Sequence, residues 1–269
     1  MTPASIPGFD ISDNTPPWAV DPLARFVSAS LAEQQLLRDA CLSIQLTTSI
    51  WPKLDTAFTG MAKQLPKAMV EQWTENRPSS ERLVGVLNSE VEAEFQTLLR
   101  MQAVALWAAL EVAIEDLVAA FLENDRALAT QPRLTKIDVP FPFWTWTAHE
   151  RRAHLLRELK RTIGTNSPGR AQFEELLQVV NLAGSVPQNV RRDLIELSQV
   201  RHVIVHREAR CDKRIIEVCP WLTYQVGSTI SISRDDSDRW VEAATMYVAG
   251  VVARVVERFS DDVADEDFE

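Results

Sequence analysis

Two of the four histidines of this chain stand in one short run, Arg201-His202-Val203-Ile204-Val205-His206. Arginine supplies a permanent planar cation, and histidine is the side chain that titrates nearest neutrality. Phosphate binding joined to proton transfer suits RNA cleavage. A metal site is the rival chemistry, because His202 and His206 are four residues apart and two imidazoles at that spacing on a helix can face one ion. Nothing in the sequence completes it. Val203 follows His202, so there is no His-Glu-x-x-His, and Cys211, Asp212 and Cys219 have no recognised ligand spacing. No metal site is expected, and no glycine-rich phosphate loop occurs.

The element that must position this run is a helix opening behind Pro187. Val190, Leu194, Leu197, Arg201 and Val205 recur at helical spacing, so the stripe is apolar except for Arg201. The guanidinium therefore points inward or into an interface. Without an anion that placement is costly, so it is either paired with a carboxylate such as Glu111 or Glu115 or kept for one arriving on a ligand. Five residues on, His206 lies about 140° round an ideal helix from Arg201. The two converge if the helix ends or loosens near His206, as the polar run Arg207–Lys213 suggests, or if a symmetry mate supplies the second group.

The segment "LIELSQVRHVIVHREARCDKRIIEV" resembles the signature segment of HEPN-superfamily proteins, helical domains with an arginine, four to six residues and then a histidine. Two flanking segments extend the resemblance: the helical "ALWAALEVAIEDLVAAFL", similar to the family's helix with an inward acidic residue, and "VGSTISISRDDSDRWVEAATMYVAGVV". The resemblance implies a metal-independent endoribonuclease with no cofactor, in which two chains of a homodimer share one cleft; other members of the family lack activity. By it, Arg201 and His206 are the catalytic pair, His202 a third member, and Glu111 a supporting carboxylate. His202 departs from the family, where Asn or Asp often follows the arginine. Arg207, Arg210 and Lys213 are the cations expected to meet RNA. The implied chemistry is attack of the 2′-hydroxyl on the neighbouring phosphodiester, leaving a 2′,3′-cyclic phosphate. A toxin, defence or stress role with a cognate antitoxin or regulator would accompany it. A non-catalytic helical module that binds a nucleotide, RNA or protein stays open beside it.

Net charge is −10, which at first sight opposes binding to a phosphate backbone. The distribution changes that, because residues 151–214 hold thirteen Lys/Arg against seven Asp/Glu, while the ending "DDVADEDFE" has six acids and no base. A basic centre in an acidic frame fits a local anionic ligand. Cys41, Cys211 and Cys219 are odd in number and form no Cys-x-x-Cys, which suits a reducing cytoplasm. No apolar run approaches the ~20 residues of a membrane span, and the first residues lack the pattern of a signal peptide, so no membrane association is expected.

Residues 1–20, rich in Pro, Ser, Thr and Asp, are expected to be disordered, with folding starting near Asp21. Residues 21–90 read as a helical extension, 91–259 as the HEPN-like helical domain and 260–269 as an acidic tail. Pro66 and Pro78 are expected interruptions. In the proline-rich connection at 127–148, Phe141, Phe143, Trp144 and Trp146 either pin the loop to the core or stack on bases, and Thr147 caps the next helix, which ends at Gly164. Beyond the motif, "KRIIEV" and "STISIS" predict a small β-hairpin, and Asp235 or Ser237 the cap of a final helix. The fold class is all-α with that one hairpin.

Overall fold

The computed structural model describes residues 15–163 and 170–266, and the fold is all-α. The element order is α1 (Pro17–Met61), α2 (Lys67–Glu92), α3 (Gln96–Asn124), α4 (Ala148–Ile163), α5 (Arg170–Val179), α6 (Gln188–Arg207), α7 (Lys213–Val218) and α8 (Arg234–Glu266). The disorder expected over residues 1–20 falls outside the described residues for positions 1–14, and the chain is helical from Pro17, four residues before Asp21. Proline suits this start, since its missing N–H is one of the donors a first turn leaves unpaired. Gly164, expected to cap α4, also lies outside the described residues.

One hydrophobic cluster organises the bundle, with α3 at its centre. Leu106, Leu110, Ile114, Leu117 and Phe121 of α3 are buried between the first turns of α1, through Leu23 and Phe26, and α6 and α8, through Leu194, Leu197, Val248 and Val251. These positions repeat at three and four residues, so each helix contributes one face to the shared core. Burial of each such side chain stabilises the fold by about 1.5–3 kcal/mol. α1 stays on this core through Leu37 and the buried Cys41, which lie by Leu99 and Ser237, and then runs out with α2 as a two-helix arm.

The arm is held together at its far end by its own small core. The Trp73 ring stacks between Trp51 at 5.3 Å and Phe58 at 4.3 Å, and Arg77 bridges to Asp55 at 2.7 Å and to Glu81 at 3.0 Å. Those contacts account for a difference from expectation. Pro66 does interrupt the chain, separating α2 from the 3-10 turn Ala62–Gln64, but α2 runs unbroken through Pro78. Tertiary contacts at Trp73 and Arg77 hold the helix up to the proline that local propensity alone would end it at.

The expected hairpin does not form. Residues 213–218 are helix α7, opened by Asp212, whose carboxylate accepts the Ile215 N–H at 3.0 Å. Among the described residues the only strand-like pairing is one antiparallel bridge between Arg210 and Thr229. The first half of the "STISIS" run pairs with backbone just after α6, the Cys211 N–H donating to the Ser228 carbonyl and the Ile230 N–H to the Ala209 carbonyl, both at 2.8 Å, and α3 side chains serve the rest. Gln96 donates to the Ile232 carbonyl at 2.8 Å and accepts its N–H at 2.9 Å, and Arg100 donates to the Ile230 carbonyl at 2.8 Å.

Thr147 caps α4 as expected, through a reciprocal box in which Glu150 accepts from the Thr147 N–H and hydroxyl and Thr147 accepts from the Glu150 N–H. The cap of α8 is Ser233, not Asp235 or Ser237. Its hydroxyl oxygen accepts the Asp236 N–H at 3.0 Å, and Asp236 accepts from the Ser233 N–H and hydroxyl. Ser233→Ala is expected to lower stability by about 1 kcal/mol, read as a shift of the urea midpoint with unchanged slope. Ser237 instead is buried one turn inside the helix and donates to Gln102.

Candidate functional site

Helix α6 carries the motif on its last two turns. Its core side is set by Val190, Leu194, Leu197, Val200 and Val203, all buried against the central cluster. The helix stays regular through Arg207 and then stops, because Glu208 and Ala209 both take left-handed backbone (φ 53° and 59°). The Ala209 N–H closes the end on the Val203 carbonyl at 3.1 Å. Loosening of the helix before His206, by which Arg201 and His206 could converge within one chain, is therefore absent.

Arg201 is half-buried, its side chain 29% exposed, and its nearest carboxylate is Glu111 of α3, Nη2 to Oε2 at 3.9 Å. Glu115, the other candidate, is taken by Lys160. The Arg201–Glu111 contact is long for a charge-assisted hydrogen bond, and Arg201 Nε is buried with no hydrogen-bond partner. The guanidinium is thus oriented but retains unused donor capacity.

The histidines form the closer constellation. The His202 and His206 rings lie 4.8 Å apart at 51°, as the four-residue spacing on one helix face requires. His202 is half-buried and His206 exposed. Burial depresses the His202 pKa below 6.5; His206, Arg214 and Arg207 add to that, and Asp212 opposes it. His202 is accordingly neutral at pH 7. With the folded pKa lowered, this group's contribution to stability is present above pH 6.5 and is lost as pH falls below it.

The other expected site residues gather at the α6–α7 turn. Arg207 is exposed, with Nε 3.9 Å from Asp212 Oδ2; Arg210 is exposed on the bridge to Thr229; Lys213 is exposed at the first position of α7. Asp212 and Arg214, which face His202 electrostatically, are the members that sequence reading passed over. Asp212 lies in the polar run after the motif, while Arg214 stood in the segment expected to be strand. No group of three or more His, Cys, Asp or Glu among the described residues is placed to hold a metal ion. Cys211 and Cys219 are buried free thiols, and burial pushes Cys219 up to about 12, away from the thiolate a metal would need.

Clefts lie elsewhere, two of them between α3 and α4. One of about 420 Å³ is lined by Glu123, Phe143, Arg151 and Arg152, and one of about 510 Å³ by Glu115, Asp116, Arg157 and Lys160. Two of their four cations are answered by α3 carboxylates, Arg152 pairing with Glu123 at 2.8 Å and Lys160 with Glu115. The aromatic loop divides between its two expected roles. Phe143 is buried and meets Trp146 and His154, pinning the loop, while Phe141 and Trp144 are 97% and 75% exposed. Among the described residues no helix is long and apolar enough to cross a membrane.

Comparison of the chain with protein-family models, with curated proteins and with solved structures gave no match in any of the three.

Proposed function

We propose that this chain is a metal-independent endoribonuclease whose proton transfers are carried by the imidazole pair of α6. The observation that carries the reading is the 4.8 Å contact of His202 and His206, the first half-buried with a depressed pKa and the second exposed. Cleavage of RNA by its own 2′-hydroxyl needs a base for that hydroxyl and an acid for the departing 5′-oxygen, and two adjacent imidazoles in different surroundings supply both. His202, neutral at pH 7, accepts the 2′ proton as the O2′–P bond forms. His206, in its protonated form, gives a proton to the 5′-oxygen as the P–O5′ bond breaks. The products are a 2′,3′-cyclic phosphate and a 5′-hydroxyl.

Arg201, whose half-buried guanidinium makes only a long 3.9 Å contact with Glu111, stabilises charge on the non-bridging phosphoryl oxygens, and Glu111 holds its orientation. Arg207, Arg210 and Lys213 guide the RNA backbone past the helix end. Homodimer formation, a cognate antitoxin or regulator, and a cytoplasmic setting belong to the same proposal. The Arg201–Glu111 contact favours a second reading, a helical module that binds a nucleotide, RNA or protein without chemistry.

The test is incubation of the purified chain with mixed cellular RNA in excess EDTA. Cleavage leaving cyclic phosphate ends, with no action on the equivalent DNA, is expected. Because His202 must be unprotonated and its pKa lies below 6.5, the acidic limb of the rate profile falls below pH 6.5 and is lost in His202→Asn. Cleavage abolished by EDTA would sink the mechanism, and RNA binding without cleavage would select the second reading.

A further inference from the structure

The outer half of α1 carries two faces, and only one is covered by α2. Beside the face that holds Trp51 and Phe58 against Trp73 lie Leu36, Leu42, Leu46, Ile50, Leu54 and Met61, each between 44% and 69% exposed. At about 100° per residue these six fall within roughly 120° of arc, so they form one stripe. A single exposed leucine is ordinary, but a continuous row on a protruding arm is an apolar face awaiting a partner. The stacked rings and the Arg77–Asp55 bridge stiffen the arm from within, so the stripe is presented ready-made.

Charge identifies the occupant. Between Leu36 and Met61 the charged residues within that arc are Asp39 and Lys53, both exposed and each seven residues from Leu46, one on either side. The face is thus neutral on a chain whose net charge is −10, which makes it a place where two like-charged copies can meet without repulsion. Its pattern is also its own complement. Two α1 helices laid antiparallel about a two-fold axis at Leu46 set Asp39 of each copy against Lys53 of the other and Leu42 against Ile50. Such an isologous contact repeats every interaction twice. From Leu36 to Met61 the stripe runs about 38 Å at 1.5 Å per residue, long enough for two α1 helices to lie in contact over several turns.

We propose that this chain forms a symmetric dimer through its α1–α2 arms, with a second copy in antiparallel register on the Leu46 stripe. The dimer does not rest on the nuclease reading and involves none of the α6 residues.

Sedimentation equilibrium of the full chain tests it, with helical content monitored by circular dichroism. Wild type is expected to be dimeric at micromolar concentration. Leu46→Glu, on an exposed helical position, buries two unpaired carboxylates at the axis and is expected to weaken association at least about 100-fold with helicity unchanged. Asp39→Lys sets like charges together at both ends and weakens it about 10-fold, and adding Lys53→Asp restores it. A wild type that stays monomeric at tens of micromolar overturns the proposal and leaves the stripe to a different protein. So does a dimer indifferent to Leu46→Glu, which would place the interface elsewhere, or a charge-swapped double variant that fails to recover.

Discussion

Replacing His206 with alanine is expected to abolish RNA cleavage while leaving the fold in place, with a rate loss of roughly 10²–10⁴-fold, the usual worth of one positioned acid or base. The fold survives because the ring sits exposed on the last turn of α6, where substitutions away from caps and networks change stability by about 0.5 kcal/mol or less. The variant also reports on the pair itself. His206 is one of the groups that depress the His202 pKa, so its removal moves that pKa back toward 6.5, though not fully, since burial is the larger cause and remains. Titration of the His202 ring by NMR in wild type and variant measures the movement directly. Cleavage unchanged in a folded His206→Ala chain would remove His206 from the mechanism, and an unmoved His202 titration would mean that the two rings do not interact in solution.

The largest loss of stability is expected at Glu196, a residue that takes no part in the proposed chemistry. Its side chain is 3% exposed on α6 and accepts hydrogen bonds from Trp221 Nε1 at 2.6 Å, Trp240 Nε1 at 3.2 Å and Arg239 Nη2 at 2.6 Å. It thereby joins α6 to α8 and to the segment after α7. Glu196→Ala leaves two indole N–H groups without their acceptor and removes the buried anion that the Arg239 cation faces, a class of change that costs about 3–5 kcal/mol. The lower end of that range applies, because Arg239 is partly open to solvent and keeps Asp193 and Asp236. A matching fall in the urea midpoint, with changed tryptophan fluorescence, is expected. Glu196→Gln, which retains one acceptor oxygen, should lose less. A loss under about 1 kcal/mol for the alanine variant would mean that water replaces the carboxylate, and the network would then be ornament to the core.

Much of the helical framework was legible in the chain because its signals are local. The apolar stripe of α8, and that of α6 as far as Leu197, follow from residue spacing, whereas Val205, expected on the stripe, is 48% exposed because Val200 and Val203 carry the core side of the last turns; the Thr147–Glu150 box that opens α4 can be read from two residues three apart. The failures share a cause. "KRIIEV" is β-branched and reads as strand, yet Asp212 caps it and Ile215 is buried in the cluster, so it is helix; β propensity measures fit to a sheet surface that this fold does not offer. The extended "STISIS" segment found some of its partners on α3, more than 120 residues away, through Gln96 and Arg100. Pro78 reads as a break, and contacts across the arm overrule it.

The candidate site divides the same way. Residue types and the four-residue spacing by themselves determined that His202 and His206 share a helix face, since an α-helix has fixed periodicity. They also determined that Arg201 would be turned toward the apolar side. Only the tertiary structure decided that Arg201 meets Glu111 while Glu115, one turn away, goes to Lys160. It alone set the half-burial that depresses the His202 pKa, and it alone left the α1 stripe uncovered while covering the face beside it. Periodicity is a property of one helix and is written in its own residues; which carboxylate, which solvent exposure and which uncovered face result depend on how helices distant in the chain pack, and no local pattern encodes that.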